Sequence, residues 1–226
     1  NCITHSGTFH ADEVFATAIL SLIIDNIVVL RVNELKEKID DVVIYDVGLG
    51  KFDHHQVGGN GKRVNGVSYA ACGLIWNAYS SELLSNLGIK DEDIEYLKTQ
   101  IDKGFIQFID ANDNGITPKI DTEYKYVNLA NIIAQFNPRW NENDDADDKF
   151  IEAVNFAKII LENEINSEIS KLEAKSKVEN AIKNSKENIM ILDEFMPWKE
   201  FVLESSLKKA KDILFVVFPS NRGGYN

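Results

Sequence analysis

Apolar residues recur at Phe15, Ala18, Ile19, Leu22 and Ile23 within ADEVFATAILSLIID, the spacing of a helix with one buried face. The preceding Cys2-Ile3-Thr4 reads as the end of a strand. IVVLR (27–31) and VVIYD (42–46) are short, β-branched and almost continuously apolar, which predicts strands buried on both faces of a parallel sheet. SYAACGLIWNAYSSELLSNLG (68–88) predicts a second helix, closed by Gly88. DIEYLKTQIDKGFIQFID (93–110) predicts a third, with Ile94, Leu97, Ile101, Phe105 and Phe108 on its apolar side. Strands and helices thus alternate, and the expected fold class is α/β, a mostly parallel sheet flanked by helices.

The pattern changes after residue 136. NPRWNENDDADD (137–148) is polar and acidic, a loop without the glycine and terminal glutamate of a calcium-binding loop. A long segment without Gly or Pro follows, apolar at Phe150, Val154, Ala157, Leu161, Ile165, Ile169, Leu172 and Val178, amphipathic at first and strongly charged later. It predicts a connecting helix over 149–186. NIMIL, WKEFVLESSLKKA and ILFVVF then read as strand, helix and strand. The expected organisation is a domain over 1–148, the linker helix, and over 187–226 the start of a smaller α/β domain that breaks off. With Asn1 at one end and GGYN at the other, both ends look cut from a longer polypeptide.

Composition narrows the function classes. At 226 residues and 44% hydrophobic content the chain can build an ordinary core. Its apolar runs are far below the ~18 residues that cross a bilayer, so no membrane association is expected. Two cysteines, Cys2 and Cys72, make no disulfide framework and point to a reducing, intracellular compartment. With 36 acids against 24 bases the formal charge is −12, which argues against binding long nucleic acid chiefly through a basic surface. Bound cations could neutralise part of that charge.

The chain has four histidines, and all lie beside acids in two short stretches, HSGTFHADEV (5–14) and KFDHHQ (51–56). If Thr4 ends a strand and Ala11 begins a helix, His5 is at the strand tip and His10 and Asp12 are in the turn and first helical positions. That is the edge where open parallel sheets hold ligands. Asp46, ending VVIYD, falls on the same edge. Gly48 and Gly50 let the backbone turn back there, bringing Asp53, His54 and His55. Mixed imidazole and carboxylate donors suit first-row divalent ions, and a carboxylate such as Asp46 can bridge two of them. Ion pairs roughly 3.5–4 Å apart are a recurrent device for phosphate ester cleavage. Each residue alone has an ordinary explanation, such as a helix cap or a strand-end acid. The conjunction favours a metal site.

HSGTFHADEVFATAIL, YDVGLGKFDHHQ, YAACGLIW, DANDNGI, FNPRW and FPSNRGGYN resemble the successive motifs of the Myg family, a branch of the DHH phosphoesterase superfamily. The resemblance implies a DHH-type domain with a two-metal site, usually manganese or magnesium, and a C-terminal domain that closes over substrate. It also implies a 3′-to-5′ RNA exonuclease of nucleus and mitochondria, although the residues themselves do not distinguish those compartments from cytoplasm. By position, His5 and His10 would bind one ion, Asp12 and His54 the other, and Asp46 both. The usual superfamily motif has an Asp where His10 falls and one residue less in the spacing. Asp53 would orient its neighbours, and His55 would contact the scissile phosphate. A fourth-motif carboxylate would come from Asp113 or Asp110. Arg222, Gly223 and Gly224 resemble a substrate-binding motif; by themselves they equally suit an exposed turn. Arg139 is a weaker candidate.

Three functions follow as expectations: an exonuclease releasing mononucleotides from RNA, a phosphoesterase of short oligonucleotides or small phosphorylated metabolites, and a metal-binding partner protein with little turnover. His55, a histidine beyond the ligand count, speaks against the third.

Overall fold

Strand β1 (Cys2–His5) pairs in parallel with β2 (Val29–Val32) on one side and β3 (Val43–Ile44) on the other, so β1 is central in the order β2-β1-β3. Cys2 lies opposite both Val29 and Val43. In this computed structural model, which describes residues 1–226 apart from Lys38 and Asn221, the protein is mixed α/β. Helix α1 (Ala11–Ser21) connects β1 to β2, and the sheet is followed by α2 (Ala71–Asn86), α3 (Asp91–Ile101), α4 (Gln107–Asp113), α5 (Leu129–Ala134) and α6 (Ala146–Asn184). Residues pack as two units, Asn1–Ile165 and Asn166–Asn226, and α6 contributes to both.

Two expectations about burial are corrected. β2 is an edge strand, with Leu30 exposed and Arg31 buried, where IVVLR was expected to be covered on both faces. Conversely α1, expected to bury one face, is buried throughout from Ala11 to Leu20. It lies against α2, α4 and α5. This full enclosure carries the acids of its first turn indoors.

The helix expected over 93–110 extends over 91–113, interrupted by a π turn at Asp102–Ile106 between α3 and α4. Eight residues of regular helix would leave Asp102 and Asp110 about 80° apart around the axis; one residue absorbed by the π turn reduces that to about 20°. Both carboxylates accordingly reach the same guanidinium, that of Arg63, whose Nη2 is 2.6 Å from Asp102 Oδ1 and 2.8 Å from Asp110 Oδ2.

In the second unit, Ala174, Val178 and Ile182 of α6 pack with Met190, Leu192, Met196 and Ala210. Strands β4 (Ile189–Ile191) and β5 (Phe215–Val217) pair in parallel. WKEFVLESSLKKA is not one helix. It divides into α7 (Lys199–Leu203) and a 3-10 turn at Lys208–Asp212. Ser205 Oγ accepts the Leu207 N–H at 3.2 Å, a local alternative to the helical hydrogen bond.

Candidate metal centre

The site forms where β1 gives way to α1. Arg31, the charged residue inside IVVLR, points inward and donates to the backbone oxygens of His5 (3.2 Å) and Gly7 (2.8 Å) while pairing with Asp147 at 2.7 Å. Its guanidinium lies 4.6 Å from the centre of the Phe150 ring. On the far side of the same loop, the Asn137 side chain accepts the Phe9 N–H at 2.9 Å and donates to the Phe9 carbonyl at 2.8 Å. Both hydrogen-bonding groups of Phe9 are therefore held, and the next residue, His10, enters as the N-cap of α1.

Asp46 was expected to end a strand. β3 stops at Ile44, and Asp46 adopts the left-handed conformation at φ 56°. The reason is local: the Tyr45 N–H still bonds to Ile3, while the Asp46 N–H turns to the Phe52 carbonyl at 3.0 Å. Non-glycine residues visit this region rarely and at a cost of order 1–3 kcal/mol. Gly48 (φ 83°) and Leu49 (φ 56°) then reverse the chain, with Gly50 at an ordinary φ. Buried Asp53 closes the reversal, accepting the Leu49 N–H at 2.6 Å and the His55 N–H at 3.0 Å.

Two imidazole nitrogens each face a group of carboxylates. His5 Nδ1 lies 3.0 Å from the Ser6 carbonyl, which assigns it the proton and leaves Nε2 facing Glu13 Oε1 (2.8 Å) and Asp46 Oδ2 (3.2 Å). His54 Nε2 faces three carboxylates, Asp113 Oδ2 at 3.1 Å, Asp46 Oδ1 at 3.2 Å and Asp12 Oδ2 at 3.6 Å. Asp46 thus offers one oxygen to each of the two imidazoles. Candidate donor atoms of His10, Asp12 and Asp113 also fall within 4.8 Å of one another. His55 Nδ1 is 2.8 Å from Asp53 Oδ1, and its ring is more than half exposed, so its other nitrogen faces outward.

Asp110 belongs to a different network. Its Oδ1 accepts the Gly73 N–H at 2.8 Å, and its Oδ2 faces Arg63. Burial pushes its pKa up to about 7 against the opposing guanidinium and the N–H groups at the start of α2. Close by, the Ala71 N–H donates to Asp12 Oδ2 at 3.3 Å. The beginning of α2 therefore grips one carboxylate of the cluster and one that braces it. Asp113, three residues on, lies in the cluster itself.

The donor set fits divalent cations. Asp12, Glu13 and Asp46 are buried, with donor atoms mutually within 4.8 Å. Asp12 Oδ1 and Glu13 Oε2 are each buried without a hydrogen-bond partner among the described residues, and buried Asp46 Oδ1 has the His54 imidazole at 3.2 Å. Such oxygens are costly unless a cation, a proton or an ordered water meets them, and a cation would satisfy several at once. The electrostatics agree: burial and then the charges of Asp46, Glu13 and Asp113 force Asp12 well above the ordinary carboxylate range. Burial also opposes ionisation of Asp46, but hydrogen bonds from His5 and His54 outweigh it and hold its pKa low. The Asp46 and Glu13 hydrogen bonds raise His5 to about 10. Burial works against charge on His54, yet Asp46, Asp113 and Asp53 together keep its pKa above the usual value.

Arg222, Gly223 and Gly224 lie in the second unit, in an exposed turn closed by pairing of Pro219 with Tyr225. Gly223 and Gly224 have φ of 88° and 74°, and the Gly223 N–H is committed to the Ser220 carbonyl. Arg222 lines a cavity of about 260 Å³ with Phe195, Phe218 and Ser220. Arg139 is exposed and paired with Glu142.

The whole chain, residues 1–226, matches the MYG1 exonuclease family model, described as uncharacterised protein family UPF0160. The chain belongs to the MYG1 family. It is 30% identical to the MYG1 protein of Saccharomyces cerevisiae over 98% of its own length and 75% of that protein's. A MYG1 protein of Schizosaccharomyces pombe is likewise 30% identical, over 97% of this chain and 75% of the relative. The MYG1 exonuclease of Mus musculus is 28% identical over 97% of the chain, which spans 66% of that relative's length. No solved structure matches.

The structure brings forward residues that motif reading passed over. Glu13, Arg31, Arg63, Gly73 and Asn137 all act on the cluster or brace it. Arg31 carried a legible signal, because it interrupts an apolar strand, whereas Glu13, Gly73 and Asn137 lie inside quoted motifs that gave them no role. Glu13 carried none, because an acid in the first turn of a helix is ordinary.

Proposed function

We propose that the protein is a metal-dependent phosphodiesterase of the DHH type, acting as a 3′-to-5′ exonuclease on RNA. The observation that carries this reading is Asp46, whose two oxygens serve two histidine centres from a strained backbone position. The exonuclease name of the mammalian relatives supports the same class of reaction. His5, His10 and Asp46 would hold one divalent ion; Asp12, Asp46, His54 and Asp113 the other. Manganese or magnesium would suit these donors. Bound there, the ions would supply a water acidic enough to attack phosphorus at neutral pH and neutralise the phosphoryl oxygens.

The chain's own residues would do the rest. Asp53, through the 2.8 Å contact to His55 Nδ1, orients that ring so that Nε2 faces outward. From there it can hydrogen-bond a phosphate oxygen and hold the proton that the leaving oxygen requires. Arg222 can pair with a phosphate through two donors. A formal charge of −12 favours a second reading, in which the preferred substrate is a short oligonucleotide rather than a long RNA.

The test is hydrolysis of 3′- and 5′-labelled single-stranded RNA and of dinucleotides, with Mn²⁺ or chelator, by wild type and Asp46→Asn. The expected result is Mn²⁺-dependent release of mononucleotides from the 3′ end, lost in the variant. Cleavage of dinucleotides alone would favour the second reading, and no cleavage of any phosphodiester with cation bound would reject both.

A further inference from the structure

Glu13 is the buried carboxylate of the cluster to which no family motif above gives a role. As the third residue of α1, it accepts the His10 N–H through Oε1 at 2.8 Å, as a glutamate at that helical position often does. Capping accounts for one oxygen and for no burial. Capping does not require enclosure, and Glu13 is fully enclosed. Its Oε1 also lies 2.8 Å from His5 Nε2, and its Oε2 is buried without a hydrogen-bond partner among the described residues. Donor atoms of Glu13 fall within 4.8 Å of those of His5 and His10 in one grouping, and of Asp12 and Asp46 in another. An unpartnered carboxylate oxygen enclosed beside a second and a third carboxylate is strongly unfavourable. A cation removes that cost.

We propose that Glu13 is itself a ligand of the divalent ion held by His5, His10 and Asp46, adding a carboxylate to two imidazoles and the shared aspartate. This rests on the two-cation reading above and goes beyond it in one respect. The first centre becomes more anionic than two histidines and one shared carboxylate would make it, and so selects hard divalent ions such as Mn²⁺ more strongly.

Glu13→Gln separates capping from ligation, because glutamine still accepts the His10 N–H but loses the charge. Mn²⁺ stoichiometry and affinity are measured by titration calorimetry and electron paramagnetic resonance on wild type and variant. The expected result is two ions in wild type. In the variant, one should weaken by about a hundredfold, the upper end for the loss of mere outer partners, and the other should stay within about threefold. Two ions bound with wild-type affinity by a folded Glu13→Gln would overturn the proposal and leave the two-cation reading standing. No ion in wild type would overturn both. Should the variant not fold, electron–nuclear double resonance of wild type labelled with ¹³C at glutamate carboxyls decides. Glu13 is the one glutamate in these groupings among the described residues, so carbon coupling to Mn²⁺ is expected and its absence refutes ligation.

Discussion

Gly73 offers a test in which two physical arguments predict opposite signs. It is the third residue of α2, where alanine should improve helix stability by up to about 1 kcal/mol. A Cβ built there would stand 1.8 Å from Asp110 Oδ2 and 2.8 Å from Arg63 Nη2. The carboxylate would have to retreat by about 1.5 Å to reach ordinary contact. Asp110 is fully buried and holds the Gly73 N–H and Arg63 at once, so retreat breaks both contacts. Disrupting a buried charge pair costs about 3–5 kcal/mol, and after the helical gain the net destabilisation of Gly73→Ala should be about 2–4 kcal/mol. With a urea dependence of about 3 kcal/mol per molar, the midpoint should fall by roughly 1 M. The transition is followed through Trp76, buried in the same helix, in a background where exposed Trp140 and half-buried Trp198 are phenylalanine. Placed on Asp110→Ala, the same substitution should cost little or nothing. A Gly73→Ala protein as stable as its parent, or more so, would refute the close approach and leave helix propensity as the governing term.

Other outcomes follow from the site. His54→Ala should lose an ion, since that ring faces three carboxylates, whereas His55→Ala should retain both ions and turn over at least about a hundredfold more slowly; equal metal loss would erase the distinction. Asn137→Ala frees both backbone groups of Phe9 and should lower stability by about 1–2 kcal/mol and Mn²⁺ affinity by about tenfold, measured by denaturation and calorimetry; unchanged affinity would make Asn137 a purely structural clamp. In the cation-free protein His5 titrates at about 10, so it is charged at pH 7 and ion binding must expel its proton; the raised pKa of His54 acts in the same direction. Apparent Mn²⁺ affinity should therefore rise between about pH 7 and 9, by up to about tenfold per pH unit for each proton displaced. Without cation the sign for stability is reversed. The raised pKa of His5 stabilises fully below about 6.5 and is lost as pH rises through about 10, so the chelated protein should weaken toward alkaline pH.

Much of the clustering was legible because histidines and acids are few in kind and were concentrated at strand-to-helix junctions. His5 at the end of β1, His10 at the cap and Asp12 in the first turn of α1 stand where the hydrophobic pattern located them. The choice between Asp110 and Asp113 was not legible. They are three residues apart on one helix, and only the partners that surround them, Arg63 and Gly73 for one and His54 for the other, separate their environments.

By itself the sequence determined the alternation of strands and helices and the gathering of histidines and acids at one sheet edge, because periodicity and spacing act along the chain. Burial is different in kind. Whether a strand is central or at an edge, and whether a helix is covered on one side or all round, depends on segments distant in sequence. Hence Leu30 is exposed, Glu13 is enclosed and Arg31 spans more than a hundred residues to reach Asp147. Nor could composition foresee that Asp46 would leave its strand early, or that a π turn would align Asp102 with Asp110 on one guanidinium. Those outcomes follow from competing contacts between elements, and only the folded chain decides such competitions.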